Sequence, residues 1–186
     1  LPRPGVGQKE DCYTDMYAQD LKRDVKLMAQ IGATTVMTYN PWNWGASHAV
    51  LLDEMAKYKL TLGLTFKADT KGNMRRNLEK LQKALKDSNV ALEFVYLDYP
   101  LTSDNADAFF RWVIQVRSWM KQFELDVPVF VRFFPEVTNT QTIEYLLGQW
   151  DGGDFTAWVV EAYSVSGMST WEKAMSGNTK QLFFRY

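Results

Sequence analysis

Two of the commonest chemical tools of proteins are almost missing from this chain: Cys12 is the only cysteine and His48 the only histidine. A single thiol excludes an internal disulfide framework and a thiolate zinc site, and leaves Cys12 able to pair only with a cysteine outside these residues. A single imidazole makes any His-based metal centre or Ser-His-Asp triad depend on His48, which stands at a helix start and is expected on solvated surface. No apolar run reaches the roughly eighteen residues of a membrane span, and no basic-then-apolar signal segment opens the chain. The chain begins at Leu1 rather than Met, which fits a leader or upstream region removed or left out. Charge of one sign is missing too: 21 Lys and Arg against 22 Asp and Glu leave a net of -1. Without a basic excess to follow a phosphate backbone, nucleic acid is not an expected partner. There is no Gly-rich phosphate loop at the first strand-to-helix turn and no metal-ligand cluster, so neither cofactor nor metal is expected. Nor is there an Asn-x-Ser/Thr glycosylation sequon.

What the chain does have is apolar and aromatic mass. With 186 residues, 46% of them hydrophobic and 15% aromatic, it is long enough to bury one core, and a single domain over 1–186 is expected. Seven Trp suit a carbohydrate-contacting surface, since the C–H face of a sugar packs on indole, although a core absorbs most aromatics.

Periodicity orders the elements. Tyr17, Leu21, Val25 and Met28 recur at helical spacing, with Asp15 and Asp20 near the start and Gly32 past the end. A β-branched and aromatic run from Thr34 to Tyr39 then predicts a strand that stops at Asn40-Pro41. Ser47 is placed to cap a second helix through Lys57, and Leu60 to Phe66 is the next strand. Helices are predicted over 73–86 and 103–123, then 140–147 and 170–174, and strands over 92–97, 128–134, 155–163 and 182–184. Strict alternation with near-continuous apolar strands predicts a parallel sheet covered on both faces. Six strands after the first helix suit a (β/α) TIM-type barrel, incomplete at one or both ends, with a preceding strand near 1–8 and an eighth beyond Tyr186. The alternative is an open flavodoxin-like sheet.

The stretch Asp20 to Tyr39 resembles the first helix and second strand of clan A glycoside hydrolases, nearest to β-1,3-glucanases and fungal cell-wall glucanosyltransferases. His48 to Phe66 resembles the following helix and strand, Asp154 to Tyr163 the sixth strand, and Lys180 to Phe184 the seventh. The resemblance implies a (β/α)8 barrel, a β-glucan-like ligand and an extracellular or cell-surface location. It also implies an acid/base Glu at the end of the strand over 92–97 (the fourth in a complete barrel) and a nucleophilic Glu at the end of the seventh. Here Tyr99 stands at the first position and Arg185 or Tyr186 at the second, while Met37 replaces the supporting Arg of the second strand. A retaining glycosidase needs two carboxyl groups about 5 Å apart, and Tyr does not deliver a proton near neutral pH as a tuned carboxylic acid does. The segment Phe94 to Pro100 also resembles a chitinase-type fourth strand with Asp98 at its acid, but Phe94 and Tyr96 stand where two supporting Asp are required.

In a barrel, the carboxyl ends of strands face the loop-built cleft, which places Asn40, Lys67, Asp98, Glu136 and Tyr163 toward a ligand. Asp98, Glu136 and Glu161 are the remaining candidate catalytic carboxylates; the plainer reading of Asp98 and Glu136 is a salt bridge or cap, with Arg132 and Lys67 as partners. Asn40, Trp42, Trp44, Tyr99 and Tyr163 are the candidate ligand contacts. Trp42 and Trp44 lie in the loop after the strand over 34–39, either exposed for sugar stacking or a protein contact, or folded over the barrel mouth with their indoles buried. Two functions follow. One is a non-catalytic glycan-binding or structural module, able to self-associate through open strand edges. The other is an active β-glucan hydrolase or transglycosylase with displaced acids, Asp98 acting with Glu136 or Glu161.

Overall fold

The computed structural model describes residues 11–39, 42–67, 73–98, 105–133, 157–161 and 181–185, with single positions at 145, 148, 169, 172 and 173. The strand expected near 1–8 and most of the helices expected over 140–147 and 170–174 lie outside the described residues. After a 3-10 turn at Asp15–Tyr17 come helix α1 (Ala18–Gln30), strand β1 (Thr35–Thr38), α2 (Ala49–Lys57), β2 (Thr61–Lys67), α3 (Met74–Ser88), β3 (Leu92–Asp98) and α4 (Ala106–Gln122). Strands β4 (Val129–Phe133), β5 (Ala157–Glu161) and β6 (Gln181–Arg185) complete the described elements.

All six strands are parallel and stand in sequence order, β1 to β6. A doubly wound sheet reverses its strand order at a switch point. Here the order never reverses, which excludes the flavodoxin-like alternative and leaves the unidirectional winding of a (β/α) barrel. Among the described residues the sheet is open, with β1 and β6 at its edges. Successive helices pack against one another along one side of the sheet, α1 on α2, α2 on α3 and α3 on α4.

The two faces of the sheet differ. Leu62, Leu64 and Phe66 of β2, Val95 and Leu97 of β3, and Val129 and Val131 of β4 belong to the main buried cluster with Leu51, Leu52, Met55, Leu78, Leu81, Phe109, Val113 and Val116 from the helices. Apolar positions at i, i+3, i+4 and i+7 on each helix therefore meet alternate residues of each strand. On the other face Phe94, Tyr96 and Phe130 form an aromatic triangle with centroid distances of 5.4 to 5.7 Å. Phe94 lies over Gly63: a Cβ built there would meet its ring at 2.3 Å. The pairing of β2 with β3 shifts register between Leu62 and Gly63, next to this contact.

Helix ends follow the sequence in part. Gly32, at φ 85°, supplies the left-handed position after α1 that the sequence predicts. The expected cap of α2 is different. Ser47 Oγ accepts from Ala49 N at 3.3 Å, but Asp15 Oδ1 accepts from Val50 N at 2.8 Å while Oδ2 accepts a hydrogen bond from the Ser47 hydroxyl. A carboxylate 35 residues upstream thus caps α2, where negative charge meets the positive end of the helix dipole.

Candidate functional site

The strand ends come first, because a barrel places its ligands there. The registers align Lys67, Asp98, Arg132, Val159 and Phe183 in one row across β2 to β6. Asp98 is buried and Lys67 is exposed. Arg132, named from the sequence as a partner for Asp98, is its direct neighbour on β4. Glu161 stands two residues further along β5, opposite Arg185. Two strand spacings of about 4.8 Å and two residues of about 3.3 Å separate the Asp98 and Glu161 positions, with Arg132 between them. Asp98 and Glu161, the two candidate carboxylates among the described residues, therefore each have a cationic position beside them in register.

Asn40, Tyr99, Glu136 and Tyr163 lie outside the described residues. Met37 pairs with Gly63 and is partly exposed. Phe94 and Tyr96, which stand where a chitinase-type strand carries its supporting acids, are in the aromatic triangle. Thr65 was not singled out by sequence, yet its buried Oγ1 has no hydrogen-bond partner among the described residues, and it pairs with Tyr96.

The tryptophan loop takes neither of its two expected arrangements in full. Trp44 stacks on Phe66 with ring centroids 5.5 Å apart and planes 5° from parallel, and Phe66 belongs to the helix-facing side of β2. The loop therefore turns down onto the helix layer between α2 and α3. Trp42 is buried at 4% exposure, while Trp44 is half-buried. Trp42 stacks on His48, with centroids 4.1 Å apart, and lies 5.6 Å from Trp44. The indole N–H of Trp42 has no acceptor among the described residues.

His48, expected on solvated surface, is buried at 7% exposure. Its Nε2 lies 2.7 Å from Asp11 Oδ2, and both side chains are 6% exposed. Asp11 also accepts hydrogen bonds from the backbone N–H groups of Asn43 and Tyr13. Burial by itself would push the Asp11 carboxyl up, but the hydrogen bonds from His48, Asn43 and Tyr13 and the charge of His48 outweigh it and hold the carboxyl below its ordinary value of 3.8. The correction has a physical reason: a partner 37 residues away and an indole ring on its face bury an imidazole that local sequence leaves in solvent.

Together these residues wall a cavity of about 450 Å³, inside the roughly 300–1,000 Å³ range of small-ligand sites. Trp42, Trp44, His48 and Leu52 form its aromatic and apolar side. Ser47 and, from α3, Lys80, Lys83, Asp87 and Ser88 supply hydroxyl, ammonium and carboxylate groups. Lys80 Nζ donates to the Trp44 carbonyl, tying α3 to the loop. Among the described residues no group of three or more His, Cys, Asp and Glu is arranged to hold a metal ion. No described helix is long and apolar enough to cross a membrane.

No protein-family model matches the chain, and no curated protein matches it. Among solved structures, N-acetylneuraminate lyase from Mycoplasma synoviae is similar, with a TM-score of 0.57, 13% sequence identity and cover of 90% of this chain and 56% of the lyase. The arginine decarboxylase of Paramecium bursaria Chlorella virus, bound to agmatine, follows at a TM-score of 0.41 and 11% identity, over 88% of this chain and 42% of the other. The chain thus spans little more than half the length of the lyase, and at this identity the likeness concerns the fold alone: a parallel α/β chain of TIM-barrel type.

Proposed function

We propose that this chain is a non-catalytic, glycoside hydrolase-like barrel module that binds a glycan, as part of an extracellular or cell-surface protein. The observation that carries the reading is the cavity walled by Trp42 and Trp44. It combines a partly exposed indole, on which the C–H face of a sugar ring can lie, with hydroxyl, ammonium and carboxylate groups able to bond the ring hydroxyls. Resemblance to clan A glycoside hydrolases supplies the kinship and the β-glucan-like ligand. Loss of the acids at the Tyr99 position and at Arg185 or Tyr186 supplies the absence of turnover.

The test is titration of the chain with laminarin oligosaccharides by calorimetry, beside an assay for released reducing sugar. Binding weakened about tenfold or more in Trp44→Ala, measured at a temperature where circular dichroism shows the variant folded, with no sugar released, is the expected result. Absence of laminarin binding would defeat the β-glucan-like ligand, and absence of binding to neutral and acidic oligosaccharides alike would defeat the glycan reading. A second reading, catalysis by Asp98 with Glu161, is favoured by their positions at the carboxyl ends of β3 and β5, the two strands that flank β4. Sugar release that disappears in Asp98→Asn would establish it and end the non-catalytic one.

A further inference from the structure

We infer that the Trp42–Trp44 cavity selects an acidic saccharide, one bearing carboxylate groups on its rings, with Lys83 as the residue that reads the charge. The inference rests on the glycan reading of this cavity and goes beyond it in naming the ligand class. The chain as a whole is nearly neutral, at -1. Helix α3 is not: Met74–Ser88 carries Arg75, Arg76, Lys80, Lys83 and Lys86 against Glu79 and Asp87. Spacings of three and four residues put Arg76, Lys80, Lys83 and Asp87 along one stripe, and the last three line the cavity. Two ammonium groups there face one carboxylate.

These cations differ in what already holds them. Lys86, outside the cavity, pairs with Glu124 at 3.2 Å. Lys80 donates to the Trp44 carbonyl. Lys83 makes no ion pair or hydrogen bond among the described residues, and Asp87, one turn on, does not approach it within salt-bridge distance. An ammonium and a partly exposed indole on the walls of one cavity suit a ring that offers an apolar face and an anionic edge, the description of a uronate residue. A polyphosphate backbone fits less well. Nucleic-acid binders commonly neutralise on the order of six to ten phosphates, and this stripe places two cations at the cavity, next to a carboxylate.

The experiment compares oligogalacturonate with laminarin oligosaccharide of equal length, binding to the full chain measured by calorimetry at low and at high salt. In wild type the acidic oligomer is expected to bind about three- to tenfold tighter at low salt, with the preference lost at high salt. Lys83→Gln is expected to abolish the preference, bringing the acidic oligomer down to the affinity of laminarin; Lys86→Gln, outside the cavity, is expected to leave the preference and both affinities unchanged. Equal affinity for the two oligomers, or a preference that survives in Lys83→Gln, would overturn the acidic specificity while the glycan site stands. Binding of neither oligomer would remove both. Tighter binding of oligouridylate than of oligogalacturonate would overturn the inference in favour of a nucleic-acid partner. Circular dichroism and melting of each variant identify any that fails to fold, and Lys83→Met then serves as the second substitution.

Discussion

At the scale of single residues the most consequential arrangement is the buried pair of Asp11 and His48. It ties the segment before α1 to the loop after β1, and it presents the imidazole ring to Trp42. The Asp11 carboxylate accepts hydrogen bonds from one side chain and two backbone amides. Replacing it with Asn keeps the shape but removes the charge and one acceptor oxygen, at an expected cost of about 1–3 kcal/mol at pH 7. The sign of the pH dependence follows from the depressed carboxyl. Its folded-state value lies below the ordinary 3.8, so its stabilising contribution is fully present above the unfolded-chain value and is lost as pH falls through the folded one. Melting temperature plotted against pH should therefore decline for wild type below about pH 4. In Asp11→Asn that part of the decline should be missing. Equal acid limbs in the two proteins would show that the pair contributes nothing to acid sensitivity.

At the scale of elements, what sequence made legible and what it did not divide along a physical line. Alternation, boundaries within a few residues and the helix-facing core follow from periodicity, because each helix or strand buries its own apolar stripe. Leu62, Leu64 and Phe66 are readable in this way. The cap of α2 by Asp15, the burial of His48 and the tie of the Trp loop to α3 depend on residues 35 to 37 positions apart, and the descent of Trp44 onto Phe66 on residues of different elements. Local pattern carries no record of such pairings. The contributions of Lys80 and Lys83 to the cavity were missed for the same reason, since a basic helical stripe reads as solvated surface until a loop is laid against it. The only available signal was the excess of five basic over two acidic residues in α3. Gly63 is a further case. A glycine inside a strand pattern signals close approach, but the identity of the approaching ring requires the register of β3. Gly63→Ala should cost about 1–3 kcal/mol by overpacking, because its Cβ would overlap the edge of the Phe94 ring and that ring is held by Tyr96 and Phe130. In a Phe94→Leu background the same substitution should cost clearly less. A double-mutant cycle from urea denaturation measures the difference, and additivity would show that the ring yields freely.

At the scale of the whole molecule the edge of the sheet at β1, open among the described residues, is the feature with a measurable consequence. In a parallel ladder the amides of alternate residues turn to opposite sides of a strand. The bond from Thr61 N to the Thr34 carbonyl sets the phase for β1: Val36 and Thr38 turn toward β2, whereas Thr35, Met37 and Tyr39 turn outward. Tyr39 N donates to the Tyr13 hydroxyl at 3.0 Å, as this phase requires. Hydrogen exchange should therefore alternate along the strand, with Val36 and Thr38 protected, Thr35 and Met37 fast, and Tyr39 between them. Uniform protection over 35–38 in dilute protein would mean that another segment covers the edge. Protection of Thr35 and Met37 that grows with protein concentration would instead report pairing between copies, the route by which an uncovered strand edge becomes an assembly surface. The outcome separates a module that works alone through its cavity from one that also builds structure through its sheet.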